Sequence, residues 1–487
     1  MVAIRTRFEL NPAGVMHVGN ARVALYNCLF ARKMDGDFIV RVADVDPENN
    51  KIESLEEVLN DLRWLKLTWN EGPNIGGKYG PYRQSQRSKI YLEHVKVLAD
   101  KNLAYQCFCS VEELAVRRDQ SMRNGKQPGY DSRCRNLTEE QRHMYEKQGR
   151  RSVWRFKNGS EAITVHDLIQ GDLKFDASLI DDFVILQADN KPTSIFASTV
   201  DDALMYISHV IRGADHLSEL PCNILLLNAF GYAVPQYAHL GLIQGKNSQN
   251  LTKQELNSLF SISALHQKGY LPECVINYLM HLDISAEEDK EIMVLEQIAD
   301  EFDLAQAGSS VAAFEYDKLN WYSAHYLQSS DLTRITDLSL PYLKEKELVA
   351  GNLTESEYEY LNNVIDVIRY KVPCLSEMAS YAAVYYSDFV GLSDAMKKGV
   401  AAPEAQQILR QALALLENSG TELQRQNIPA FLNALKVSAE TLQVDLESTL
   451  RVVLTGHKQG PDLADVCWLL GKEKIIKRIK DIVEPDV

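Results

Sequence analysis

The sequence predicts an α/β domain built on a doubly wound parallel sheet, interrupted by an insertion and followed by an all-α region. Strand and helix patterns alternate over roughly the first hundred residues. The alternation breaks between residues 105 and 182, where charge rises and cysteines cluster, and from about residue 250 helical periodicity dominates.

The run Val2 to Phe8 reads as the first strand. It feeds Asn11-Pro12-Ala13-Gly14-Val15-Met16-His17-Val18-Gly19-Asn20 and then a helical pattern from Ala21 to Met34. A strand that ends in Pro and Gly turn residues, with His and a small residue at a helix start, offers backbone N–H groups and a positive dipole end to a phosphate. That pattern predicts a nucleotide site. Phe38-Ile39-Val40-Arg41-Val42 is a β-branched strand, and Ile52 to Leu65 and Ser88 to Lys101 read as helices. Sheet character returns at Phe183-Val184-Ile185-Leu186, and Val210-Ile211-Arg212 ends a further strand. No internal repeat or low-complexity segment is visible.

With 487 residues and 45% hydrophobic content, the chain is too long for one core and is expected to form two to four domains. No apolar run approaches the roughly 20 residues that span a bilayer, and Arg5 and Arg7 stand where a signal peptide would be apolar. A cytoplasmic location without a membrane partner is expected. The net charge of −15 argues against a simple nucleic-acid footprint, because phosphate grip relies on basic surface. The candidate basic patch is Lys472, Lys474, Lys477, Arg478 and Lys480, for which a solvated helix face is the alternative.

Eight cysteines are scattered except for one cluster, which suggests thiols and a metal rather than a disulfide framework. Cys107-Phe108-Cys109 and Tyr130-Asp131-Ser132-Arg133-Cys134 bring three thiols within reach of one another if the intervening residues form a hairpin or short helical loop. Tetrahedral zinc accepts such sulfur donors and folds modules that lack a core of their own. Buried cysteines without metal are the alternative, and His143 is a less apt substitute ligand.

From Thr6-Arg7-Phe8 through Leu450-Arg451-Val452-Val453-Leu454-Thr455-Gly456, the chain resembles bacterial glutamyl-tRNA synthetases, or a divergent paralogue of them. These are class I enzymes whose first signature, the HIGH tetrad, reads His17-Val18-Gly19-Asn20 here. Glu71-Gly72-Pro73, Gly80-Pro81-Tyr82-Arg83-Gln84-Ser85, Pro192-Thr193, Val200-Asp201-Asp202 and His209-Val210-Ile211-Arg212-Gly213 extend the match. Gly269-Tyr270-Leu271-Pro272-Glu273 and Asp317-Lys318-Leu319-Asn320-Trp321 look like the stem-contact fold. The resemblance implies a Rossmann-type class I catalytic domain in two halves, 1–104 and 183–245, around a connective insertion with a zinc site at 105–182. A stem-contact domain at 246–325 and an α-helical anticodon-binding domain at 326–487 follow.

The implied activity is ATP-dependent activation of glutamate and its transfer to the 3′ end of tRNA, with Mg²⁺ bridging the ATP oxygens, in a monomer. His17 and Lys253 are the implied catalytic residues, and ATP falls to His17, Gly19, Asn20 and Lys253. Arg7, Asn11, Ala43, Ser194, Ser198 and Arg212 take the amino acid, and Asp46 takes the tRNA 3′ end. In zinc-bearing relatives the ligands are those matched by Cys107, Cys109, Tyr130 and Cys134.

Departures cluster where substrate is held. The second signature loop, Lys-Leu-Ser-Lys-Arg in the family, reads Asn250-Leu251-Thr252-Lys253-Gln254, with Lys246 a few residues upstream. The family's Arg-Ile-Glu-Asp-Thr-Asp reads Arg41-Val42-Ala43-Asp44-Val45-Asp46, so alanine replaces the glutamate that in relatives helps hold the substrate ammonium. Asn11 stands for a serine, and Ser194 and Ser198 for a tyrosine and an asparagine. Arg7 and Arg212 are retained, and arginine suits bidentate carboxylate recognition. The expectation is a pocket that keeps its anion-binding half, loses its ammonium-binding half and is enlarged. Activation of another carboxylic acid, or non-catalytic tRNA binding on the same scaffold, are the alternatives.

Overall fold

A computed structural model of the chain describes residues 3–12, 14–45, 52–125, 129–159, 162–176, 179–245, 260–282, 292–388, 390–419 and 423–484. It separates into two compact units, residues 1–265 with 276–315, and residues 266–275 with 316–487.

In the first unit, β1 (Arg5–Leu10) and β2 (Asp37–Val42) pair in parallel, with Arg5 opposite Asp37 and Leu10 opposite Val42. Between them runs α1 (Val18–Lys33), whose Ala21, Ala24, Leu25, Cys28 and Leu29 are all buried. α1 starts before the expected Ala21 because His17 caps it, its Nδ1 accepting the N–H of Asn20 at 3.3 Å. α2 (Ile52–Trp64) and α3 (Ser88–Asp100) follow as expected, each within a residue of its forecast end.

The span 105–182 is divided between two sheets. β3 (Ala104–Cys107) leads through the helices α4 (Val111–Arg123) and α5 (Glu139–Lys147) to β4 (Val153–Phe156). β5 (Ile163–Asp167) and β6 (Gly171–Phe175) form a hairpin, and β7 (Val184–Leu186) joins β3 and β4 in an antiparallel sheet. After α6 (Ser194–Leu204) come β8 (His209–Gly213), α7 (Leu220–Phe230) and β9 (Gln236–Leu240). These give a second sheet in the order β6-β5-β9-β8, in which β9 pairs in parallel with both β5 and β8. Short strands thus enter the main sheet from a charge-rich segment, and β5 and β6 carry the period-2 alternation of strands, exposed positions alternating with less exposed ones.

Among the described residues after 250, one strand interrupts the helices, Ala312–Ala313, which pairs in parallel with Ile243–Gln244. Gly241 allows that approach, since a Cβ there would lie 1.8 Å from the carbonyl oxygen of Ser310.

The second unit is helical. Five of its helices start at side-chain caps: Asp331, Thr354, Ser393, Asp445 and Asp462 each accept a backbone N–H in the first turn. Thr354 and Glu357 form a reciprocal capping box. Gly471, at φ 70°, divides the last helical stretch, Leu463–Val483. The basic cluster beyond it is spent inside the unit. Lys472 donates to Ser419 O, Lys474 to Tyr385 O and Arg478 to Val384 O and Ser387 O, while Lys477 pairs with Asp388 and Lys480 with Glu417. Lys472, Lys474 and Arg478 thus meet carbonyl ends of helices, whereas Lys477 and Lys480 form exposed pairs with carboxylates, as on a solvated face.

The first unit is tied through two adjacent carboxylates on α6. Asp201, fully buried, accepts from Arg87 Nε at 2.6 Å, Tyr91 OH at 2.8 Å and Gln84 Nε2 at 3.2 Å. Asp202 pairs with Arg41 at 2.8 Å and Arg7 at 3.1 Å. Removing one partner of a buried ion pair costs about 3–5 kcal/mol, because it strands the other charge. Asp201→Ala is therefore expected to destabilise the first unit by about that amount in urea unfolding, whereas Asp394→Ala, on the exposed first turn of a helix in the second unit, changes stability by less than about 1 kcal/mol.

Candidate active site

At the carboxyl ends of β1, β2 and β8 lies a cleft of about 610 Å³. Open parallel sheets place ligands at this end of their strands. Arg7, Asn11, His17, Gly19, Asn20, Ala43, Ser194, Ser198 and Arg212 all line it, so the side chains singled out by sequence in the described residues, apart from the cysteine cluster, are brought together here. Lys246, Asn250, Lys253, Gln254 and Asp46 lie outside the described residues.

One side of the cleft is the turn before α1. With His17 Nδ1 occupied as the acceptor of the Asn20 N–H, the neutral ring carries its proton on Nε2. Burial pushes the His17 pKa down, opposed by nearby Asp215. Gly19 leaves room beside it: a Cβ would sit 3.1 Å from His17 Cε1 and Nδ1 and press on the ring. The N–H groups of Val18 and Asn20 already meet the carbonyl of Phe260 and His17 Nδ1, so it is the neutral imidazole N–H donor at the positive end of α1 that suits an anionic oxygen.

The other side is a pair of arginines. Arg7 is fixed by Asp202 and Arg212 by a chain of contacts. Arg212 Nε donates to His239 Nε2 at 3.0 Å, and His239 Nδ1 contacts Asp167 at 2.6 Å. Arg212 also reaches Asn223 Oδ1 at 3.0 Å and the carbonyl of His216 at 3.1 Å. Because Nε2 must accept from a guanidinium, His239 donates from Nδ1 and is neutral; burial pushes its pKa down, with Asp167 opposing. Burial, followed by Arg7, pushes down the pKa of Arg212, so two cations are held close together where an anion relieves their repulsion.

The expectation of a pocket without an anionic counter-group is corrected by Glu9. Its side chain lines the same cleft, on β1 opposite Arg41 of β2. Burial alone would push its carboxyl up, but the charges of Arg41 and Arg7 and hydrogen bonds from Arg41 and Ser198 hold it at about 2. Sequence reasoning passed over Glu9, Asp167 and His239. Alternation along β1, which puts Glu9 on the face of Arg7, was the available signal for Glu9. For Asp167 and His239, distant in sequence, there was none.

A second cluster lies on β3 and the loops beyond it. The sulfurs of Cys107, Cys109 and Cys134 lie within 4.8 Å of one another. Tyr130 OH is 3.2 Å from Cys107 Sγ and accepts the backbone N–H of Cys134 at 3.2 Å. His143 is exposed and pairs with Glu146.

Residues 3–321 match the model of the catalytic domain of class I tRNA synthetases (E and Q), and residues 334–483 match an anticodon binding domain. The chain is 38% identical over 481 residues to the glutamate–tRNA ligase of Carboxydothermus hydrogenoformans, covering 98% of this chain and 99% of that protein. The chain belongs to the class I glutamyl-tRNA synthetase family. The glutamate–tRNA ligase of Moorella thermoacetica is 38% identical over 484 residues, covering 98% of each. The crystal structure of a glutamate tRNA ligase from Elizabethkingia meningosepticum in complex with its amino acid superposes with a TM-score of 0.86 at 28% identity, covering 99% of both chains. The architecture is thus that of a class I synthetase catalytic domain joined to a helical anticodon-binding domain. No helix among the described residues is long and apolar enough to cross a membrane.

The neutral state of His239 sets a pH dependence in this synthetase fold. Its folded pKa lies below the ordinary 6.5, so its contribution to stability is complete above that value and is lost as pH falls below it. Thermal stability is expected to fall between about pH 7 and pH 5, and to fall less in His239→Gln, whose amide accepts from Arg212 without titrating. Melting temperatures of the two proteins across that range check this.

Proposed function

We propose that the protein is a glutamate–tRNA ligase that activates glutamate with ATP and passes the glutamyl group to the 3′ end of tRNA. The observation that carries this reading is the cleft itself, where paired arginines and a helix-opening histidine face one another across a volume of about 610 Å³. Arg7 and Arg212 bind the side-chain carboxylate of the amino acid. Asn11, Ala43, Ser194 and Ser198 line the rest of its pocket. His17, Gly19 and Asn20 take the phosphates of ATP, with Lys253 of the second signature loop completing the grip.

The reaction is an in-line exchange at phosphorus. The α-carboxylate of glutamate attacks the α-phosphorus of ATP, and the bond to the bridging oxygen breaks to release pyrophosphate. A ribose hydroxyl of the tRNA end then attacks the acyl carbon and AMP leaves. Most of the acceleration comes from positioning and charge stabilisation. His17 donates from Nε2 to the oxygen that gains charge at phosphorus; Mg²⁺ carried in with ATP would supply charge neutralisation at the phosphates. Asp46 meets the tRNA end, residues 246–325 its acceptor stem, and residues 326–487 its anticodon arm.

Zinc fits the donor set of Cys107, Cys109, Cys134 and Tyr130: three sulfurs converge, and one phenol oxygen stands beside Cys107. It would close the segment between β3 and β4, which has no buried residue on α4 or α5 to hold it.

Two measurements test this reading. Glutamate-dependent ATP–pyrophosphate exchange and charging, assayed with tRNA present, should proceed, and His17→Ala should lower kcat about a hundredfold, as removal of one transition-state donor does. Absence of glutamate charging by the folded wild type overturns the function. Metal analysis of freshly purified protein should find about one equivalent of zinc, lost in Cys109→Ser, and less than about a tenth of an equivalent overturns the metal site.

A further inference from the structure

Among the described residues, Glu9 is a carboxylate that lines the cleft together with the small residues of its amino-acid end. Ala43, Ser194 and Ser198 line that end with it, and none of them is large enough to cover its head group. β1 and β2 run in parallel register here: Glu9 stands opposite Arg41, and the N–H of Ala43, just past the end of β2, donates to the carbonyl of Leu10, so Ala43 and Glu9 line the same cleft. Arg41 holds one oxygen of Glu9 and the hydroxyl of Ser198 donates to the other. A carboxylate offers about four acceptor sites, so these two partners leave capacity toward the cleft. Arg41 is meanwhile also paired with Asp202 at 2.8 Å, which fixes it independently of Glu9.

We infer that Glu9 is a specificity-determining residue that receives the ammonium group of the amino acid, taking from β1 the part that Ala43, just past the end of β2, does not supply. Arg7 and Arg212 then serve a carboxylate and Glu9 an ammonium, a pattern matched by an acidic amino acid and mismatched by the same diacid without its amino group. This assignment rests on the proposed function for the identity of the ligand.

Glu9→Gln is the informative substitution, because the amide oxygen still accepts from Arg41 or Ser198 and the volume is unchanged. With tRNA present, the KM for glutamate should rise roughly tenfold to a hundredfold, the loss expected for a charge-assisted hydrogen bond. Inhibition by glutarate, the diacid lacking the amino group, should change by less than about threefold. In Glu9→Ala with Ala43→Glu, moving the carboxylate to the position just past β2 should recover part of the glutamate KM. An unchanged glutamate KM in Glu9→Gln, or equal weakening of glutamate and glutarate, overturns the inference and makes Glu9 a partner of Arg41 alone. Calorimetry of glutamate and glutarate separates the two readings: failure of the wild type to charge glutamate sinks the ligase function, whereas a preference for glutamate over glutarate that vanishes in Glu9→Gln stands without turnover.

Discussion

The first unit depends on two neighbouring carboxylates, Asp201 and Asp202, sunk in its interior. Asp201 collects Arg87, Tyr91 and Gln84, while Asp202 collects Arg41 and Arg7, so one turn of α6 is bonded to β1, β2, α3 and the turn before it. Burying charge is costly unless each charge is paired and hydrogen-bonded. Here the pairing reaches the surface of the cleft: Arg7 shares its carboxylate with Arg41, and Arg41 in turn holds Glu9. The interior network and the lining of the site are one set of contacts, and a side chain in the cleft is held in place by groups that never touch it.

That arrangement gives the two arginines of the cleft different supports. Arg7 is fixed by a charge, Asp202. Arg212 is fixed at Nε by a neutral imidazole, itself oriented by Asp167. The neutral acceptor orients the guanidinium without cancelling its charge, and Asn223 and a backbone carbonyl do the same at its other nitrogen. The positive potential therefore remains for a ligand. A carboxylate in hydrogen-bond contact would orient Arg212 equally well but would consume more of that charge; the nearest one, Glu219, stands off at 3.7 Å.

The helical unit solves a different problem. Its lysines and Arg478 near the C-terminus meet carbonyl oxygens and carboxylates of earlier helices, with Arg478 almost fully buried. The charge of Lys472, Lys474 and Arg478 stabilises helix ends, while Lys477 and Lys480 pair with carboxylates. In a chain of net charge −15, basic residues that look clustered along the sequence are therefore a poor guide to where nucleic acid is met.

The sequence by itself determined the local elements and the family. The strands around Arg7 and Arg41, the capped helix after His17 and the long C-terminal helices follow from period, caps and turn residues, which act over a few positions. The convergence of Arg7, His17, Ala43, Ser194, Ser198 and Arg212 was legible only through resemblance, since no local rule brings residues so far apart in sequence to one cleft. Tertiary structure alone decided the rest. It carried β5 and β6 into the main sheet, through a parallel pairing of Asp167 with Tyr237 that no sequence period encodes. It set Asp167 behind His239 and His239 behind Arg212. And it put Glu9 opposite Arg41 and at the same cleft as Ala43, because parallel register, and not the order of residues along the chain, fixes which side chains share a face.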